Sequence, residues 1–151
     1  KQQKITLPIT KKAKVISIDK LYKWQSLPEM WETLSKEYKL YIVTNGISRV
    51  QHKRFEHSTI KPFITDIFVS EDSGYQKPQK EYFDYVFEKI GTIDKSKTLI
   101  IGDSLTSDIK GGNNAGIKAC WYNPHRLENK SDAICDYEIQ KLEELFNILK
   151  A

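Results

Sequence analysis

The stretches "VTNG", "GYQKP" and "LIIGDSLTSDIKGGNNAG" hold Thr44, Asn45 and Gly46, then Lys77, then Asp103 and Asp108. A threonine hydroxyl followed by backbone N–H groups at a helix start can accept phosphate oxygens at the positive end of the helix dipole. A lysine ammonium neutralises such an anion as a point donor. Two carboxylates offer hard oxygen ligands, and Mg2+ takes only one or two of these from protein. The competing explanation for the acids is capping and charging of a helix N-terminus. It accounts for one acid of the pair and leaves the hydroxyl and the ammonium without a reason.

These side chains need elements to carry them. "LYIV" predicts a short buried strand ending at Thr44, "DIFVS" a strand that leads through "SEDSGY" to Lys77, and "TLII" a strand ending at Gly102. Between them "EMWETLSKEY" after Pro28, "ISRVQHKRFEHS" before Pro62, "QKEYFDYVFEKIG" closing on Gly91 and "LTSDIKGGNNAG" ending at Gly116 predict helices. "IKACWY" predicts another strand and "YEIQKLEELFNILK" a last short strand and helix. Strict alternation of β and α units implies a mostly parallel sheet covered by helices on both faces. Ligands of such sheets bind beyond the carboxyl ends of the strands, which is where the three stretches fall.

Composition limits what these residues can belong to. The chain has 151 residues, 39% hydrophobic and 29% charged, as in an ordinary soluble globular domain. The net charge of +4 is scattered along the sequence, which predicts a solvated surface and no nucleic-acid partner. No apolar run reaches the ~18 residues of a membrane span, and no secretory pattern opens the chain, so a cytoplasmic protein without a membrane partner is expected. The first residue is Lys1 rather than Met, which leaves room for an upstream segment. Cys120 and Cys135 lack disulfide-framework or metal spacing and are expected as core thiols.

In this order the motifs "VTNG", "GYQKPQKEYFDYV" and "IIGDSLTSDIKGGNNAGIKACWYN" resemble the second, third and fourth motifs of the haloacid dehalogenase (HAD) superfamily of phosphohydrolases. "KP" and "SDIKGGNNAG" bring the chain nearest to the subgroup that contains pyrimidine 5′-nucleotidases. The resemblance covers residues 27–151 and implies a HAD-like Rossmannoid three-layer α/β/α core. It also implies that Thr44 holds the transferring phosphoryl group with Asn45 and Gly46, that Lys77 stabilises it, and that Asp103 ligates Mg2+ with Asp108 helping directly or through water. Lys77 is then expected to be accessible, so that Lys77→Ala costs phosphate capture more than folding. The implied partner is a small phosphorylated metabolite, a nucleoside monophosphate or similar; oligomeric state cannot be read.

The departure from the family lies near the start. The family's first motif is an apolar strand followed by Asp-x-Asp, whose acids serve as nucleophile and general acid/base. No Asp-x-Asp precedes Thr44; in "KVISIDKLYKW" Asp19 stands alone and Leu21 occupies the second position. One reading makes residues 1–26 a leader or cap remnant, with the first-motif strand absent and the chain part of a larger enzyme. The other has residues 15–18 rebuild the central strand, with Asp19 a degenerate nucleophile. The first is favoured, because Leu at the acid/base position disables general catalysis. The expected function is therefore a Mg2+-dependent HAD-type phosphatase, 5′-nucleotidase-like, whose nucleophile is missing from these 151 residues, so that alone they are inactive or nearly so. A catalytically inactive HAD-fold binding module is the alternative. A response-regulator receiver domain also sets Asp, Thr and Lys at strand ends, but its acidic pair comes early in the chain.

Other conspicuous side chains have plainer expectations. His52 and His57 belong to a polar helix surface and His125 to a loop. Tyr82, Phe83, Tyr85 and Phe87 are expected in the core and at its boundary rather than as a stacking platform for bases. Trp121 and Tyr122 are expected to pack against the last helix.

Overall fold

The computed structural model describes the backbone of residues 12–17 and, with side chains, residues 27–91 and 93–149. Its strands are β1 (Lys12–Ser17), β2 (Tyr38–Thr44), β3 (Asp66–Val69), β4 (Leu99–Gly102), β5 (Lys118–Tyr122) and β6 (Tyr137–Ile139). They form one parallel sheet in the order β3-β2-β1-β4-β5-β6. The chain builds outward from β1 to β3 and then returns to the other side of β1 for β4. That reversal opens a crevice at the carboxyl ends of β1, β2 and β4, the position where such sheets hold ligands.

The helices are α1 (Pro28–Ser35), α2 (Ser48–Glu56), α3 (Ser70–Ser73), α4 (Lys80–Ile90), α5 (Lys110–Ala115) and α6 (Leu145–Leu149). Pro28 sits in the first turn of α1, where its missing N–H costs nothing. On one face of the sheet Met30, Trp31 and Leu34 of α1, Phe55 of α2 and Leu145 and Leu149 of α6 cover Leu40, Ile42, Ile101 and Cys120. On the other, Tyr82, Phe83 and Val86 of α4, with Ile109 and Ala115, cover Tyr41, Val43, Ile100 and Trp121. Each fully buried side chain of this size contributes about 1.5–3 kcal/mol. Successive strand residues alternate between the two clusters, so the α/β/α layering expected from the alternating elements is what forms.

Four details differ from the sequence-based expectations. Ser70, expected as the end of the "DIFVS" strand, instead opens the single-turn helix α3. The helix expected over "LTSDIKGGNNAG" begins as a π-type turn, Leu105–Ile109, before α5. Trp121 does not pack against the last helix: it lies in the cluster on the opposite face, and only Tyr122 meets the cluster that contains α6. One of the two expected core thiols is only half-buried, Cys135, whereas Cys120 is fully enclosed. Burial pushes the Cys120 thiol up to about 12.

The strand Lys12–Ser17 lies between β2 and β4, so the central strand is present; this corrects the favoured expectation that it is absent and sets it at 12–17 rather than 15–18. Residue 19, and with it the candidate nucleophile Asp19, lies outside the described residues. Among the described residues no helix is long and apolar enough to cross a membrane.

Candidate active site

The loop after β2 is held by its own side chains and by the β3 edge. Thr44, 2% exposed, ends the strand. The Asn45 side-chain amide then pairs with the backbone of Lys77 in both directions: Lys77 N–H donates to Asn45 Oδ1 at 2.9 Å, and Asn45 Nδ2 donates to the Lys77 carbonyl at 3.2 Å. Gly46 N–H donates to Ser70 Oγ at 2.9 Å, and the Ser70 hydroxyl donates to the Gly46 carbonyl at 3.3 Å. The N–H of Ser48, first residue of α2, donates to Glu71 Oε1 at 2.7 Å. The "TNG" and "SEDSGYQK" segments are thereby locked to one another, although they are far apart in sequence.

Against the expectation of an accessible surface lysine, the structure buries Lys77. It is 2% exposed, and its ammonium donates to Asp108 Oδ1 at 2.6 Å and to the Val43 carbonyl at 3.3 Å. Asp108 is fully buried, and its second oxygen accepts the Ser104 N–H at 3.1 Å. An ion pair this dry pays a desolvation cost that its mutual attraction only partly returns, so stability alone is a weak reason for it. Gly102 explains how the carboxylate reaches its place. A Cβ on Gly102 would lie 2.6 Å from Asp108 Cβ, and nearer still to its carboxyl group. The side chain of Asp108 thus lies against the bare backbone at the end of β4, and no larger residue fits at 102 without moving it.

Asp103 follows directly, half-buried at the tip of β4, its carbonyl accepting Trp121 Nε1–H at 3.1 Å. Asp108 Oδ2 reaches back to the N–H of Ser104, the residue that opens the following helical segment. Ser104 is the cap residue, its hydroxyl oxygen accepting the Ser107 N–H at 3.2 Å. Capping therefore accounts for one oxygen of Asp108 and leaves the other, which meets Lys77, to be explained. Among the described residues no group of three or more metal-ligating side chains occurs. A carboxylate from Asp103, with the spare lone pairs of Asp108 behind it, is the type and number of hard donors that suit Mg2+, which holds much of its shell as water or substrate oxygen.

Thr44, Asn45, Gly46, Lys77, Asp103 and Asp108 thus gather at the carboxyl ends of β2 and β4. Sequence reasoning missed Gln51, Ser70, Glu71 and Ser104, which hold these residues in place, and the packing role of Gly102. Gly102 left a signal, as a glycine immediately before an acid at a strand end. Gln51 left none within a polar helix. His57 and His125 are exposed, and His52 lies 3.0 Å from Asp72, a hydrogen bond that holds the Asp72 carboxyl below its usual range. Tyr82 and Phe83 are core, and the Tyr82 hydroxyl donates to the Phe68 carbonyl at 2.6 Å.

A family model described as haloacid dehalogenase-like hydrolase matches residues 1–122. The chain is 55% identical over 121 residues to the HAD-hydrolase YfnB of Bacillus subtilis, covering 80% of this chain and 52% of that one. It is 43% identical over 116 residues to the pyrimidine 5′-nucleotidase PynA of Streptococcus pneumoniae, covering 77% and 49%. To the pyrimidine 5′-nucleotidase YjjG of Escherichia coli it is 38% identical over 111 residues, covering 74% and 49%. The chain spans about half the length of the curated relatives it matches. Its fold superimposes on the crystal structure of magnesium-bound YfnB with a TM-score of 0.78 at 54% identity, covering 82% of this chain and 54% of that one.

Proposed function

The chain belongs to the haloacid dehalogenase-like hydrolases, and from that premise we propose that it is the phosphate-holding core of a Mg2+-dependent phosphomonoesterase. The substrate class is a nucleoside monophosphate or a similar small phosphorylated metabolite, supported by the two pyrimidine 5′-nucleotidases among its relatives. The observation that carries the reading is the charged pair Lys77–Asp108, kept dry at the strand edge where Thr44 and Asp103 also end. A buried ammonium fixed by a carboxylate beside the strand ends that carry Thr44 and Asp103 suits an anion that brings its own charge to this edge.

In this reading the Thr44 hydroxyl and the N–H groups that follow it bind phosphoryl oxygens, and the Lys77 ammonium neutralises their charge. Asn45 holds the Lys77 backbone in register with Thr44. Asp103 and Asp108 would hold Mg2+, which supplies further neutralisation of phosphoryl charge when bound. None of these groups stands at the motif position from which the family's nucleophile attacks phosphorus. Residues 12–17 take the central strand position, but the acids expected after it reduce to Asp19 alone, with Leu21 at the second place. We therefore infer that the 151 residues alone turn over no more than trace phosphate ester, for want of a general acid/base group typically worth 10²- to 10⁴-fold. Leu21 is also the observation that favours the second reading, a HAD-fold module that binds a phosphorylated ligand without cleaving it.

The test is hydrolysis of an aryl phosphate and of a pyrimidine nucleoside 5′-monophosphate, with and without Mg2+. The chain is assayed alone and again with an Asp-x-Asp first-motif segment from a relative fused ahead of residue 27. The enzyme reading expects Mg2+-dependent turnover only in the fusion. A fusion that binds phosphate but stays inactive supports the binding module. Robust turnover by the 151 residues, abolished by Asp19→Asn, makes Asp19 the nucleophile and defeats the inactivity inference.

A further inference from the structure

Gln51 lies on α2, in its first turn, with its backbone N–H donating to the Ile47 carbonyl at 2.9 Å. Its side chain turns back over the loop it has just left. Nε2 donates to Thr44 Oγ1 at 2.7 Å and approaches the Asn45 carbonyl at 3.3 Å. A carbonyl can only accept, so it is the amide nitrogen that faces Thr44. The other end agrees, since Arg54 Nη1 donates to Gln51 Oε1 at 3.4 Å. The return path exists because residue 46 is glycine. A Cβ there would fall 2.9 Å from Gln51 Cγ and 3.0 Å from Nε2, and the side chain would have to leave Thr44.

A hydroxyl has one proton and two lone pairs. With Gln51 donating to Oγ1, Thr44 is an acceptor on the helix side, and its own proton must point elsewhere. Along the loop the Thr44 hydroxyl meets the Asn45 carbonyl at 3.4 Å, beyond the 2.7–2.8 Å usual for O–H···O, a weak contact that a phosphate oxygen can replace. From this geometry we infer that Gln51 is a positioning residue for the phosphate site: it fixes the Thr44 hydroxyl so that its proton is presented to the phosphoryl group. Gly46 serves the same arrangement by leaving Gln51 room. The inference rests on the phosphate-binding reading above and extends it to residues that never touch the ligand.

The experiment is a calorimetric titration of inorganic phosphate into the 151-residue protein and into Gln51→Met, Thr44→Val and the double variant. Met keeps the length of the side chain and removes the donor. Circular dichroism and denaturant unfolding check that each is folded. Gln51→Met is expected to weaken phosphate binding about 5- to 10-fold, the size of one well-placed hydrogen bond. Thr44→Val should weaken it at least as much, and the double variant no further than Thr44→Val, because Gln51 acts through the hydroxyl. Unchanged affinity in Gln51→Met overturns the inference. So does an equal loss on adding Gln51→Met to Thr44→Val, since that loss cannot pass through Oγ1. If Gln51→Met fails to fold, Gln51→Glu replaces it: the carboxylate draws the Thr44 proton to itself, and affinity should fall more than 10-fold with Thr44 present. That substitution should cost clearly less in the Thr44→Val background, and an equal cost in both overturns the inference. Failure of the wild-type protein to bind phosphate defeats the phosphate-site reading and this inference with it. Wild-type binding that Gln51 variants leave untouched defeats this inference alone.

Discussion

Lys77 and Asn123 are each 2% exposed and each belongs to a segment that follows a strand at the carboxyl edge of the sheet. Their polar atoms are satisfied in contrasting ways. Asn123 is neutral and spends its side chain on its own loop and on Glu138 of β6. Its Nδ2 donates to the Leu127 carbonyl and to Glu138 Oε2, both at 2.9 Å, and its Oδ1 accepts the Leu127 N–H at 3.0 Å. Its backbone N–H donates to the Ile139 carbonyl at 2.7 Å, fastening the loop to β6. Lys77 instead carries a charge into the interior and meets a second buried charge, Asp108. A buried amide that closes a loop on backbone groups is explained by the loop. A buried ion pair contributes little net stability over an apolar pair of the same volume, so its presence points to use.

The largest way to break this contrast is Asp108→Ala. It leaves the Lys77 ammonium buried without its counter-ion and should cost about 3–5 kcal/mol in denaturant unfolding. The double substitution Lys77→Met, Asp108→Leu should recover most of that loss and still abolish phosphate binding, which separates the charges' role in binding from their role in folding. A loss under about 1 kcal/mol for Asp108→Ala would show that water or another group reaches Lys77, and that the pair is not dry. Gly102→Ala probes the same pair from the backbone side. The added methyl cannot coexist with Asp108 where it stands, and overpacking of this kind costs about 1–3 kcal/mol. Its phosphate affinity should fall with the displacement of Asp108 from Lys77.

Asn123→Ala should cost about 1–2 kcal/mol, by orphaning loop groups that solvent partly rescues, and should leave phosphate affinity within about twofold of wild type. If phosphate affinity instead falls in parallel with Lys77 variants, the two regions act as one and the contrast is lost.

The same contrast marks what the sequence made legible. Thr44, Lys77 and Asp103 stand out because each follows an apolar run that can only be a strand, and parallel sheets gather such ends at one edge. The burial of Lys77 is not legible, because nothing local distinguishes a lysine that meets solvent from one that meets an aspartate from another element. Gln51 is hidden among the polar residues of "SRVQHKRFE", where periodicity shows only that Phe55 faces inward. The face chosen by Trp121 is hidden for a different reason. β5 is covered on both sides, so "ACW" is buried at every position and offers no alternation to read. Helix α3 has four residues, too few for any helical period to show.

The smallest effect on folding and the sharpest on binding should come from Asp103→Asn. Asp103 is half-buried at the strand tip, and the contact that anchors this residue to β5 uses its backbone carbonyl, which the substitution keeps. Stability should therefore change by less than about 1 kcal/mol. The exchange removes a formal charge and one hard anionic oxygen, so Mg2+ affinity measured by calorimetry should fall more in Asp103→Asn than in Asp108→Asn. Asp108 already directs one oxygen to Lys77 at 2.6 Å and the other to the Ser104 N–H at 3.1 Å, which leaves it fewer lone pairs for a cation. Asp108→Asn should show the reverse balance: a larger loss of stability, because an amide cannot neutralise the buried ammonium, and a smaller loss of metal. Two aspartates in one segment would then divide between them the tasks of holding a cation and holding a lysine. Equal Mg2+ affinity in wild type and Asp103→Asn removes Asp103 from the metal site and leaves the Lys77–Asp108 pair to carry the functional reading of this edge.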